Sequence, residues 1–358
     1  MRSAKKVRVM IVEDSLVVRT ALEYIIERHP RLTLAGTATS GEQALAMLER
    51  TAPDVISMDI RLPGINGLET TRRIMSERPT PIVVISSAIE DDSLNISMNA
   101  LRAGALSVVE KPVGTTHADY ELLANHICTQ LYIMSEVRVV RQRFHASRET
   151  VAIQTPIVEP LVTGVSNPYQ ILGLVASTGG PNALVKVLSS LPPDFPLPIC
   201  LVQHIGADFI AGFASWLDGL VPFSVNLAVE GEIPARGRVY VAPAEHHLRV
   251  GLNGLQLSRT PPVSHQRPSG TVLLSSIAAA YGSRAIGVLL TGMGDDGASG
   301  LLAMRQAGGF TIAEDATTAV VYGMPAIAVQ LGAVLAELPL DAIARKLVQL
   351  VKLSARVT

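Results

Sequence analysis

"VASTGGPNALVKVL", Val175 to Leu188, joins an apolar run to a Gly-Gly-Pro turn and then to apolar residues at helical spacing. Strand, tight turn and helix in that order form the unit of a parallel sheet, because parallel strands need crossover connections rather than hairpins. Gly179 and Gly180 permit the turn, and Pro181 suits the first turn of a helix. Ser177 then stands at the carboxyl end of a strand, where three readings compete: helix cap, phosphate cradle or nucleophile. No lysine follows it as in a P-loop.

The same alternation extends along both halves of the chain. After Ile171 the strand candidates are "ILGLVA", "PICLVQH", "AIGVLLT", "FTIAED" and "AVLAEL", separated by helical stretches such as "ADFIAGFASWLDGL" and "TVLLSSIAAAYG". Between Val225 and Leu257 shorter strands and turns predict a small antiparallel excursion. From Val7 onward, "VRVMIV", "LTLAGTA", "DVISMD", "PIVVIS" and "ALSVVE" alternate with "SLVVRTALEYIIERH", "GEQALAMLERT", "GLETTRRIMSER" and "DDSLNISMNALRAG", and a last helical pattern follows near "YELLANHICTQLYIM". Five such units imply a parallel sheet with helices on both faces. A length of 358 residues suits two domains. The reading is α/β throughout: domain one over 1–134, a Thr/Val/Pro-rich linker over 135–168, and a doubly wound second domain over 169–358.

Composition excludes several classes of function. With 48% hydrophobic and 17% charged residues the chain is globular in character, and a net charge of −1 gives no field that would draw it to nucleic acid or an anionic membrane. Cys128 and Cys200, the only cysteines, fall in apolar runs of different halves, so no disulfide framework is implied. Glu13 and Asp14 interrupt the first apolar run too early for a signal peptide, and no apolar stretch is long enough to span a bilayer. A reducing cytoplasm is the expected compartment.

Ligands gather where the strands of a parallel sheet end. Glu13 and Asp14 end the first run, Asp59 the third, Ser86 the fourth and Lys111 the fifth. Three acids at one edge require a cation, and oxygen-only ligation suits Mg²⁺. Together with a hydroxyl and a lysine they offer a carboxylate nucleophile and the means to hold a phosphoryl group. Alone, each has a plainer explanation as a cap, a turn residue or a solvated charge. The set resembles the flavodoxin-like response-regulator receiver domain over residues 7 to 130. That resemblance implies Asp59 as phosphoacceptor, Glu13, Asp14 and Asp59 as Mg²⁺ ligands, and Ser86 and Lys111 as phosphoryl contacts. It also implies a sensor histidine kinase as phosphodonor. Asn66 stands where the family usually has aspartate, and Val108 where many receivers carry a switching aromatic.

A serine nucleophile needs a base, and the base an orienting acid. His204 in "VQHIG" and Asp296 in "LLTGMGDDGASG" end further strands of the second domain, so one sheet edge can gather all three. Gly292, Gly294 and Gly297 also form the G-x-G-x-x-G spacing of dinucleotide sites, but Asp295 and Asp296 would oppose a pyrophosphate there. "ASTGGP", "VQHI", "VYVAPAEHHL", "QRPSG" and "LLTGMGDDGASG", in that order, resemble the chemotaxis protein-glutamate methylesterase family over about residues 171 to 350. The family's His-Arg-Pro-Ser-Val-Asp is here Gln266 to Thr271, a departure that bears on substrate fit.

What this second resemblance implies is hydrolysis of glutamate γ-methyl esters on chemoreceptor helices by Ser177, His204 and Asp296, with no cofactor for the ester chemistry, and glutamine deamidation by the same route. Backbone N–H groups at Thr178 and Met293 are the oxyanion candidates; losing one such donor costs roughly 3 to 4 kcal/mol. The resemblance further implies a receiver that covers the crevice until Asp59 is phosphorylated, with no nucleic-acid partner and no membrane insertion. Two alternatives are a non-catalytic scaffold and a DNA-binding output. Outputs of the latter kind are small, basic helix-turn-helix modules, whereas this half is long, strand-rich and poor in Lys/Arg clusters.

Overall fold

The computed structural model describes residues 5–86, 98–112, 117–137, 139 and 169–353. The first domain runs β1 (Val7–Val12), α1 (Leu16–Arg28), β2 (Leu32–Ala38), α2 (Gly41–Thr51), β3 (Val55–Met58), α3 (Gly67–Glu77), β4 (Ile82–Ser86), β5 (Ser107–Glu110) and α4 (His117–Ser135). All five strands are parallel, in the order β2-β1-β3-β4-β5. This is the flavodoxin-like order, whose chain direction reverses between β1 and β3 and opens a crevice there. Every residue of β3 and β4 is buried, which is why these strands read as unbroken apolar runs. Of the expected helix over 91–104, residues 98–102 are helical and 91–97 lie outside the described residues.

Helix starts follow from local chemistry. Ser40 caps α2 by accepting from the Gln43 N–H at 3.2 Å, and Asn66 caps α3 by accepting from the Glu69 N–H at 2.9 Å. Asn66 therefore has a structural occupation of its own, which an aspartate could also perform.

The second domain contains β6 (Ile171–Ala176), α5 (Gly180–Ser189), β7 (Ile199–Gln203), α6 (Ile210–Asp218), β8 (Ser224–Leu227), β9 (Arg238–Val241), β10 (His247–Gly251), β11 (Gly254–Ser258), α7 (Gly270–Tyr281), β12 (Ala285–Leu289), α8 (Ala298–Gln306), β13 (Phe310–Glu314), α9 (Met324–Gln330), β14 (Ala336–Leu338) and α10 (Leu340–Leu353). Seven strands form one parallel sheet in the order β14-β13-β12-β6-β7-β9-β8. The chain moves from β6 to one side and then returns to build the other from β12, so the reversal falls beside β6. The antiparallel excursion is present but confined to β10 and β11, which pair from His247 to Ser258. β8 and β9, within the stretch expected to belong to it, join the main sheet in parallel instead.

The two domains touch. Val320 and Val321 of the second domain pack against the apolar core of the first. Gln130 on α4 donates from Nε2 to Thr178 Oγ1 at 3.3 Å. Of the linker expected over 135–168, residues 138 and 140–168 lie outside the described residues.

Phe213 and Trp216 of α6 are buried against each other, with ring centroids 6.1 Å apart. Phe213→Ala should destabilise this domain by about 3–5 kcal/mol through lost burial and a residual cavity. Trp216 is the chain's only tryptophan, so its emission during urea unfolding reads the fall in midpoint directly.

Candidate active site

β6, β7 and β12 are neighbours, and the residues that follow them meet at one edge. Ser177 is held by its N–H to the Thr291 carbonyl (3.0 Å), and the Gly180 N–H closes the turn onto the Ser177 carbonyl (2.8 Å). The His204 N–H donates to the Ala176 carbonyl at 3.0 Å, continuing the β6–β7 ladder into the loop. His204 Nε2 lies 2.9 Å from Asp296 Oδ2. With Nε2–H given to the carboxylate, the imidazole carries its lone pair on Nδ1, which is buried and has no partner among the described residues. Ser177 and His204 line one cavity of about 330 Å³. The Ser177 hydroxyl makes no hydrogen bond among the described residues, so the structure brings serine and histidine to the same cavity without joining them.

Asp296 is almost fully buried. Burial alone would raise its carboxyl, but the His204 bond and charge, together with the Ser269 and Thr271 donors, outweigh that and hold it below its ordinary value. The glycine spacing at 292, 294 and 297 serves the turn: Gly294 and Gly297 both have left-handed φ, and Gly297 sits at the start of α8. Neither the Thr178 nor the Met293 N–H donates to a group among the described residues.

Two residues of the site were not singled out from sequence. Gln203 donates from Nε2 to the carbonyls of both Ser177 (2.8 Å) and His204 (2.9 Å), tying the two loops together. Gly180 is its counterpart: a Cβ there would lie 2.2 Å from Gln203 Oε1. Ser269, wholly buried, donates to Asp296 Oδ1 at 2.6 Å. The only sequence signal was that both lie inside motif blocks, "VQH" and "QRPSG". Gln266 also lines the cavity, so the Gln266 to Thr271 departure touches the site.

The cavity has a second wall from the first domain, including Val108 on β5 and His126 and Gln130 on α4. At the far end of β5 is the acid cluster. Lys111 Nζ lies 2.9 Å from Glu13 Oε2 and 2.9 Å from Asp59 Oδ2. Ligand oxygens of Glu13, Asp14 and Asp59 all fall within 4.8 Å of one another. Burial raises the carboxyls of Glu13 and Asp59, and for Glu13 the Asp59 charge adds to it, while Lys111 opposes both shifts. For Lys111, burial works against the charge but the two carboxylates outweigh it and raise the amine. Ser86 ends β4 in register with Glu110, and its carbonyl accepts the Lys111 N–H at 3.1 Å. An all-oxygen donor set with excess negative charge fits Mg²⁺.

Fold and edges together define a class: a receiver-type domain set against an α/β domain that carries serine, histidine and aspartate at its switch point. Residues 9–119 match the response regulator receiver domain, and residues 172–347 match the CheB methylesterase family. Over 343 residues the chain is 54% identical to "protein-glutamate methylesterase/protein-glutamine glutaminase 2" of Paramagnetospirillum magneticum, covering 96% of this chain and 97% of that protein. The protein-glutamate methylesterase/protein-glutamine glutaminase of Nitrosospira multiformis is 41% identical over 346 residues, covering 96% and 97%. The solved Thermotoga maritima CheB methylesterase catalytic domain matches with a TM-score of 0.50 at 36% identity, covering 51% of this chain and 99% of that one. The chain belongs to the protein-glutamate methylesterase/protein-glutamine glutaminase family. A DNA-binding output has no support from fold or relatives. Among the described residues, no helix is long and apolar enough to cross a membrane.

Because folded Asp296 gives up its proton more readily than the unfolded chain does, it contributes stability that is complete above the ordinary carboxylate range and lost as pH falls through the depressed folded value. The urea midpoint of Trp216 emission should therefore fall more steeply below about pH 5 in the parent chain than in Asp296→Asn. Parallel profiles would contradict the assignment of a stabilised anion.

Proposed function

We propose that this chain hydrolyses γ-methyl esters of glutamate on the cytoplasmic helices of chemoreceptors, and deamidates glutamine there, under control of phosphorylation at Asp59. The observation that carries the chemistry is the His204–Asp296 pair beside Ser177 in one cavity, with the Nδ1 lone pair uncommitted. Ser177 Oγ attacks the ester carbonyl carbon as its proton passes to His204 Nδ1. The tetrahedral oxyanion is met by N–H groups at Thr178 and Met293. Methanol leaves with the proton from His204, and water then cleaves the acyl-enzyme by the same path in reverse. For glutamine the leaving group is ammonia. The Ser177–His204 contact closes on substrate binding, as catalytic hydrogen bonds that are open in free enzymes commonly do.

Control follows from the shared wall. A sensor histidine kinase is the class of phosphodonor. Glu13, Asp14 and Asp59 would hold Mg²⁺, which supplies charge neutralisation for phosphoryl transfer to Asp59. Ser86 and Lys111 would then contact the phosphoryl group. β5 carries Lys111 just beyond one end and Val108 on the cavity wall, so a rearrangement at the acid cluster reaches the cover through one strand. Moving the open state from about 1% to 99% requires roughly 5.5 kcal/mol of differential stabilisation, and graded control requires less.

Methanol release from methylated receptor, with and without a small-molecule phosphodonor, tests the reading. Ser177→Ala should lose at least about a thousandfold in turnover, and Asp59→Asn should lose the response to phosphodonor while keeping basal activity. Gln130→Ala removes a bond across the domain boundary and should raise basal turnover severalfold without altering the phosphorylated rate. Full turnover in Ser177→Ala would refute the nucleophile, and an unchanged basal rate in Gln130→Ala would remove α4 from the gate.

A further inference from the structure

The Asp296 carboxylate is surrounded by more than histidine. Oδ2 takes His204 Nε2 at 2.9 Å and the Gly270 N–H at 2.6 Å, while Oδ1 takes the Ser269 hydroxyl at 2.6 Å and the Thr271 N–H at 3.1 Å. Three of these four donors come from the first residues of α7 and its cap. Ser269 is wholly buried, and its oxygen also accepts the Val272 N–H at 3.4 Å. That leaves the single hydroxyl proton for Asp296. The serine is fixed in turn by its own N–H, which donates to His247 Nδ1 at 3.2 Å. His247 is equally buried, and its Nε2–H donates to the Pro261 carbonyl at 3.1 Å.

We propose that Ser269 is a positioning residue for the hydrolytic reaction: its hydroxyl, with the Gly270 and Thr271 amides, locks the Asp296 carboxylate so that Oδ2 faces His204 Nε2. The inference rests on the roles given above to His204 and Asp296. Gly270 and Thr271 reach Asp296 through N–H groups, which any residue except proline supplies, while the Thr271 hydroxyl has a separate task in accepting the Gly297 N–H at 2.8 Å. Gly270 has its own cause here, because a Cβ would lie 2.3 Å from Val175 Cγ1.

The test uses the phosphorylated full chain with Ser269→Ala, Ser269→Gly and Ser269→Thr. Glycine preserves most of a helix cap's energetic value but has no hydroxyl; threonine restores it. Alanine and glycine should lower kcat roughly tenfold to a hundredfold, which is about 1.4 to 2.7 kcal/mol of lost transition-state stabilisation. KM should stay within about twofold, the acid limb of kcat should move to higher pH, and threonine should recover the parent behaviour. A capping role alone would lower the thermal midpoint and leave kcat and the acid limb in place, and that result overturns the proposal. Turnover is not the only readout: the low-field Nε2–H proton resonance of His204 should persist in Ser177→Ala and weaken in Ser269→Ala. An unaltered resonance in Ser269→Ala also overturns the proposal. Absence of methanol release from the parent chain, with the resonance behaving as expected, would instead overturn the esterase reading and leave the carboxylate lock standing.

Discussion

A carboxylate taken out of water stays ionised only where donors replace its hydration shell, and the second domain is arranged around meeting that requirement for Asp296. The turn after β12 carries it, and the start of α7 and the loop after β7 converge on its two oxygens. Removing the donors of either segment would leave a buried charge short of hydrogen bonds, at a cost of about 1–3 kcal/mol or more. The reactive geometry and the packing of three chain segments are therefore one constraint. Gln203 extends it by holding the carbonyls on either side of the crevice, so that serine and histidine keep a common frame even while their side chains are apart.

The first domain obeys the same electrostatic logic with a different outcome. Burial raises both Glu13 and Asp59, the Asp59 charge adds to the shift of Glu13, and a single lysine serves both. Such a cluster is poised to respond to charge, whereas Asp296 is insulated from it. β5 lies between the two, with its lysine-bearing end at the acids and Val108 on the cavity wall. A valine there is small and β-branched, so it acts as a wall rather than as a side chain that swings between two rotameric positions.

Much of this was legible in the sequence because parallel strands buried on both faces appear as plain apolar runs, and because the chemistry collects at their carboxyl ends. Ser177, His204 and Asp296 could be placed on one edge from run boundaries alone. The bond between His204 and Asp296 could be expected, but not which ring nitrogen makes it. β8 and β9 were harder: each is four residues long, and nothing in so short a run distinguishes a parallel partner from a hairpin. Only Ala336–Leu338 of the expected "AVLAEL" strand pairs, in register with Ile312–Glu314. Ser269 and Gln203 were overlooked for a simpler reason. Their importance lies in hydrogen bonds to partners 27 and 26 residues away, and serine and glutamine carry no signature of such long-range service.

The close fit of Gly180 against Gln203 leaves the turn after Ser177 cast like a mould, with no room for even one added methyl group. The rim is freer: the segment from Arg259 to Gln266 is largely exposed, Ser264 and His265 already adopt left-handed backbone, and Gln266 looks onto the cavity. A change of specificity could therefore be written into that border while the interior stays as it is.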